Sequence, residues 1–294
     1  MTAYRIIEAE KAEHGIPVSL ACELLDVSRS GYYEWSTRAP SDRELTDAWL
    51  TEKITTIWKE NRKVYGAPRI HAELRMAYGI NVGRKRVERL MRQAGISGLA
   101  PRKRTRTTVS VPGVRVADDL VKRQFRPEEP NVLWVADFTY LRTWEGWLYL
   151  AAVQDAFSRL IVGWSMAEHM EAPLVVSALE MGLRRRRPPE GVIHHSDQGS
   201  QYVSLAFGQA AHDGGIARSM GSKGDCYDNA VAETFFATLK KELVHRYSWP
   251  TRRDLTSEVF EYIEGFYNPR RRHSTLGMLS PVAFEAQHAA LARA

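Results

Sequence analysis

Three acids in this 294-residue chain stand where an acid is costly or conspicuous. Asp137 lies inside "LWVADFTYL", an apolar run whose residue types predict a strand. A carboxylate there is expensive unless it is paired or holds a metal. Asp197 ends the strand-like start of "GVIHHSDQGSQY", where Val192 and Ile193 are β-branched. One reading of that Asp and Gly is a turn. The other is a metal held at the end of a sheet. Glu233 falls in the first turns of the helical pattern "NAVAETFFATLKKELVHRY". If the strands carrying Asp137 and Asp197 are neighbours, the two acids approach each other, and Glu233 reaches them from a packed helix. Crowded carboxylates repel, and a divalent cation relieves that repulsion. Oxygen ligands without a cysteine pair suit Mg²⁺ or Mn²⁺ rather than zinc.

The elements that must position these acids follow from pattern. Residues 132–142, 147–156 and 158–166 read as three strands with short turns, an antiparallel meander. Residues 171–187 read as a helix, with Pro173 near its start and arginines at its end. "GVIHHSD" is a fourth strand, which a helical crossover allows to lie parallel to its neighbour. "SLAFGQAAHDGG" is helical, "IARSMG" is a fifth strand and 229–247 a strong helix. The order βββαβαβα predicts an α/β core, a mixed five-stranded sheet with flanking helices.

The remainder is helical and basic. Two short helices over 16–35, with Ser28 or Ser30 as a cap, form one helix-turn-helix candidate. Residues 65–95 form a second, whose last helix carries Arg84, Lys85, Arg86, Arg89 and Arg92. From 59 to 106 the chain holds 14 Lys and Arg against 3 Asp and Glu, while 113–294 is near neutral. So local a bias points to nucleic acid, gripped through phosphates; a solvated basic face is the plainer alternative. Residues 99–119, with Arg102, Lys103 and Arg104, lack an apolar period and read as a linker able to track DNA. The expected divisions are a helical region 1–60, a basic helix-turn-helix 61–98, a linker 99–125, a catalytic core 126–250 and a helical extension 251–294. With no signal-like apolar stretch and only two cysteines, a cytoplasmic protein is expected.

"WVADFTYL", "HHSDQGSQY" and "DNAVAETFFATLKKEL" together resemble the three blocks of the DDE transposase and retroviral-integrase core. The 35 residues between Asp197 and Glu233 match that family's spacing. "YIEGFYNPRRRHSTLGMLSP" resembles the C-terminal block of bacterial insertion-sequence-three transposases, and "VYGAPRIHAEL" with "VGRKRVERLMRQAGI" their helix-turn-helix. The N-terminus resembles the second reading-frame product of such elements. The resemblance implies a ribonuclease-H-like fold and Mg²⁺- or Mn²⁺-dependent phosphoryl transfer on DNA. It implies two ions, roughly 3.5–4 Å apart, with Asp137 bridging both and Asp197 and Glu233 on one each. Water would free a 3′-hydroxyl at the element's end, and that hydroxyl would attack a second phosphodiester, giving a circular intermediate. Implied partners are the element's terminal repeats, target DNA, a second copy of the chain and the upstream-frame product. The zinc module of retroviral integrases is not carried over, because no paired cysteines precede the core.

Neighbouring residues have lesser claims. Lys240 shares Glu233's helix face and is expected on a DNA phosphate, or else as a complement to the helix end. Arg270, Arg271, Arg272 and His273 are expected on DNA or a second subunit, with Arg271 the DNA contact, or else as a solvated loop. Asp228 and Asn229 read equally as caps or as active-site groups, Asp155 as a turn residue rather than a ligand, and His194 and His195 as packed rather than as DNA contacts or supports for Asp197. Gln198 and Gln201 have a weak claim on DNA. Trp134, Phe138, Trp147 and Trp164 read as core. Two rivals remain: a nuclease on the same scaffold that never joins ends, and a non-catalytic DNA-binding regulator.

Overall fold

The computed structural model describes residues 3–99, 120, 121, 127–221 and 230–293. Arg102, Lys103, Arg104, Asp228 and Asn229 lie outside the described residues. The chain opens with α1 (Ala3–His14), α2 (Val18–Leu24) and α3 (Arg29–Thr37), which share a small core of Ile7, Ala21, Cys22 and Tyr32. Ser28 caps α3 by accepting from Gly31 N at 3.1 Å.

A capping box of Ser41 and Glu44 starts α4 (Asp42–Glu60), which is followed by α5 (Ala67–Met76) and α6 (Arg84–Gln93). Leu50, Ile54 and Ile57 of α4 pack with Ile70 and Leu74 of α5 and with Val87, Leu90 and Met91 of α6. The division expected at residue 60 is therefore not where packing divides the chain. α4 belongs with the second helix pair, because its apolar stripe is buried against that pair.

The core begins with β1 (Leu133–Thr143), β2 (Gly146–Asp155) and β3 (Ile161–Ala167), the expected antiparallel meander. α7 (Ala172–Arg186) crosses over to β4 (Ile193–Ser196). Then come α8 (Ser200–Val203), α9 (Leu205–Asp213), β5 (Ala217–Met220) and α10 (Ala230–Glu242). The sheet order is β3-β2-β1-β4-β5, with β4 parallel to both neighbours. It is the mixed five-stranded sheet expected from pattern.

Alternation along β1 decides what each face meets. Trp134 and Ala136 pack with Leu174, Val175 and Leu179 of α7. Leu133 and Val135 pack with Ala232 of α10, and Leu141 joins Phe235, Phe236 and Leu239 in a larger core. Each Val, Leu or Phe side chain among them, once fully buried, stabilises by roughly 1.5–3 kcal/mol. After α10 come α11 (Arg252–Phe260), a π-helical stretch Glu261–Tyr267 and α12 (Pro281–Leu291). Leu255, Val259, Ile263 and Phe266 close the same face, and their core runs on into α4–α6. The C-terminal segment is thus a layer of the core rather than an appended extension.

Candidate active site

Two parallel strands place the two aspartates. The pairing Leu133 with Ile193, Trp134 with His194 and Val135 with His195 has a constant offset. The paired stretch stops there, and the same offset carried two residues further leads Asp197, just past β4, toward Asp137, close enough for its charge to act on the Asp137 carboxyl. Asp197 is exposed just past the end of β4, and Asp137 is partly buried within β1. Asp137 shares parity with Leu133 and Val135, so it faces α10, whose first turn carries the exposed Glu233.

Electrostatics registers the proximity. Burial pushes the Asp137 carboxyl up to about 7; Asp197 and Glu233 add to the rise, while Phe138 N and Lys240 oppose it. Phe138 N donates to Asp137 Oδ1 at 2.8 Å, and Gly199 N donates to Asp197 Oδ1 at 3.0 Å. Lys240 lies two helical turns after Glu233 and donates to Thr139 Oγ1 at 2.7 Å. Burial depresses its ammonium pKa, and the nearby Asp137 resists that. Among the described residues, no three His, Cys, Asp or Glu side chains are grouped tightly enough to hold an ion as they stand. The acid cluster nonetheless carries a charge excess of the kind that a divalent cation neutralises, so the donor set fits a hard metal.

Several expected residues have other tasks. Asp155 is buried and accepts from Asn131 N and Phe157 N, as a turn residue should. His194 is packed against Tyr202 and Phe207, and burial holds its pKa down at about 3, so it stays neutral. His195 shares a hydrogen bond of 2.9 Å with Ser219. Gln198 donates to Gly221 O and Gln201 to Met170 O, both within the fold.

Arg271 is a correction. It is only 5% exposed and holds Glu242 through two hydrogen bonds of 2.8 and 2.7 Å, so it cannot be a DNA contact. Burial alone would raise the Glu242 carboxyl, but Arg271 brings it below the usual range. Arg272 pairs with Glu73 of α5 at 2.8 Å, and Arg270 is exposed. On α6, Arg84, Lys85 and Arg92 are exposed, whereas Arg86 and Arg89 both engage Asp47 of α4, at 2.7 and 2.6 Å. Trp134 and Trp164 are buried and Phe138 partly so, but Trp147 is 42% exposed and is not core.

Sequence reasoning missed Tyr202 and Thr139. Tyr202 is buried beside Phe138, and its hydroxyl pKa is raised by burial and by the charges of Asp137 and Asp197. Its signal was present at the end of the block "GVIHHSDQGSQY", but a lone aromatic there reads as packing. Thr139 gave none, since only α10 reveals its partner.

The integrase core domain model matches residues 127–226, and a second such model matches 233–288. An HTH-like domain model matches 44–104, which includes α4. An uncharacterized 31 kDa protein of insertion element IS600 from Shigella sonnei is 44% identical over 267 residues, 91% of this chain and 98% of its own. The transposase for insertion sequence element IS629 from Shigella sonnei is 40% identical, over 94% of each chain. Transposase InsF for insertion sequence IS3A from Escherichia coli is 40% identical over 290 residues, 98% of this chain and 99% of its own. Among solved structures, the HTLV-2 integrase catalytic core with magnesium is similar at a TM-score of 0.43 and 16% identity, over 54% of this chain and 99% of that one. Identity of this order over nearly the whole length places the chain in a family: it belongs to the insertion-sequence-three (IS3) transposases.

Proposed function

We propose that this transposase cuts and joins DNA ends by metal-dependent phosphoryl transfer at Asp137, Asp197 and Glu233. The observation that supports the proposal is the β1–β4 pairing, whose offset, extended past its last pair, leads Asp197 toward Asp137, with Asp137 on the sheet face that α10 covers. The raised pKa of Asp137 supports it, because both partner acids contribute to that rise. Asp137, Asp197 and Glu233 would hold Mg²⁺ or Mn²⁺. When bound, a pair of such ions stabilises the attacking and leaving oxygens of an in-line displacement.

The chain's own residues do the rest. Asp137 is fixed on β1 by its hydrogen bond from Phe138 N, and Asp197 by its turn to Gly199. Both carboxylates therefore present from backbone that is already ordered. Lys240, tethered to Thr139 beside Asp137, is placed to neutralise a DNA phosphate at the site. Neutral His194 adds no charge behind β4. Arg84, Lys85 and Arg92, exposed on α6, supply phosphate contacts at a distance from the chemistry. Two DNA ends must meet for joining, so the working form is at least a dimer on DNA, alongside any upstream-frame product.

The test uses duplex DNA bearing the ends that flank the protein's own gene, with Mg²⁺ added. The chain should nick each 3′ end and then join the freed end to a second duplex. Asp137→Asn should abolish both steps while leaving DNA binding intact. Release of cut DNA without any joined product would instead support a nuclease, and unchanged cleavage by Asp137→Asn would refute the assignment.

A further inference from the structure

A groove of about 490 Å³ runs from Lys240 along the end of β1, between the β1–β2 hairpin and the segment after α10. Tyr140, Trp144, Trp147 and Tyr247 line it, and all four are exposed, Trp144 at 76%. So many large exposed aromatics in one place mark a surface that binds something. Cations sit over their faces: Lys240 lies 5.0 Å from the Tyr140 ring centre and Arg142 lies 5.4 Å from that of Trp147. Arg246 lies 5.5 Å from the Tyr247 ring centre. Tyr140 and Trp147 meet edge to face at 5.1 Å, which fixes both planes.

The groove is built rather than loose. Trp144 N donates to Trp249 O at 3.0 Å, tying the hairpin to the segment beyond α10. Glu145, the acid of the hairpin, accepts from Arg252 N, and Arg252 also pairs with Glu168. Among the described residues, β1 beyond Val135 pairs with β2 alone, and the groove runs beside its other edge. Tyr140 is three residues from Asp137, about 10 Å along the strand and on the opposite face by alternation; Lys240 links the two faces round the strand edge, since it donates to Thr139 and lies over the Tyr140 ring.

Flat aromatic faces alternating with cations are the chemistry that grips single-stranded nucleic acid, with stacking for bases and charge for phosphates. We propose that this groove is a stacking platform for unpaired DNA bases, carrying a frayed strand end that leads into the Asp137 cluster. Trp144, the most exposed ring, takes the outermost base. This rests on the reading of that cluster as a DNA-processing site, and it adds a substrate requirement to it: the end is bound partly unpaired.

The experiment uses the full chain in EDTA, with fluorescein-labelled oligo-dT and a blunt duplex of equal length as probes. Wild type should bind oligo-dT with quenching of its tryptophan fluorescence. Trp144→Ala should weaken oligo-dT binding by about five- to hundredfold, and blunt-duplex binding by less than twofold. Trp144→Phe should restore most of the loss, because any aromatic face stacks. Trp144 is exposed, so neither change should lower Tm. Unchanged oligo-dT affinity in Trp144→Ala, an equal loss on both probes, no rescue by Phe, or no oligo-dT binding by wild type would overturn the proposal. Asp137→Asn tests the catalytic reading on its own. If that variant still cut DNA, the catalytic assignment would fall while the stacking result stood, so the two fail separately.

Discussion

Asp137 carries the largest electrostatic burden of the three acids, and this sets a pH dependence. Its folded pKa stands at about 7 against an ordinary 3.8. Between those values the folded state binds more protons than the unfolded one, so metal-free stability falls as pH rises through that window. Asp137→Asn removes the ionisation. In EDTA above pH 7 it should raise Tm by about 2–4 °C for each kcal/mol of relieved charge, and near pH 4 it should change Tm little. Adding Mg²⁺ should stabilise wild type and leave the variant unmoved. Thermal melts across pH check this, and equal slopes for both proteins would contradict it. Arg271 makes the opposite kind of demand. Removing it by Arg271→Ala leaves buried Glu242 with only the Tyr262 hydroxyl and, at 3.6 Å, Arg69, for a loss of about 3–5 kcal/mol, read by urea denaturation. A loss under about 1 kcal/mol, the range of exposed pairs, would restore Arg271 to the surface.

At the scale of elements, Asp137 stood out as a charge inside an apolar strand and Asp197 as a carboxylate at a strand tip, whereas Glu233, an acid in the first turn of a helix, follows the dipole rule and is marked only by where its helix packs. The meander and crossover were legible from alternation and turn residues. What stayed hidden depends on contacts far apart in sequence. "NPRRRH" looks like a basic loop until Glu242 on α10, Glu73 on α5 and the edge of β3 are seen to receive it; Asn268 both donates to and accepts from Ile161 backbone. Arg86 and Arg89 looked like DNA contacts until Asp47 of α4 lay against them. Trp147 looked like core because hydrophobicity does not reveal that its side of the hairpin is uncovered. The α7–β3 seam offers a test of element packing. A Cβ on Gly163 would meet Ala178 O at 2.1 Å, a backbone atom that cannot yield without moving the helix. Gly163→Ala should therefore cost about 1–3 kcal/mol in urea denaturation, and a neutral effect would mean that α7 does not sit so close.

At the scale of the molecule, α4–α6 and one face of the sheet share an apolar core, so any DNA bound by α6 would lie at a fixed distance from the three acids. The three exposed cations of α6 make a graded prediction. Arg84→Ala, Lys85→Ala and Arg92→Ala should each weaken duplex binding at all sequences and lower the salt slope by about 1. Affinities measured over a range of salt check this, and a slope unchanged in all three would remove α6 from the interface. The central claim, however, concerns the sheet. Its most direct measurement is anomalous scattering from crystals of the protein grown with Mn²⁺. The account predicts manganese peaks within about 2–2.5 Å of carboxylate oxygens of Asp137, Asp197 and Glu233 together. Manganese bound elsewhere, with those three side chains apart, would contradict it.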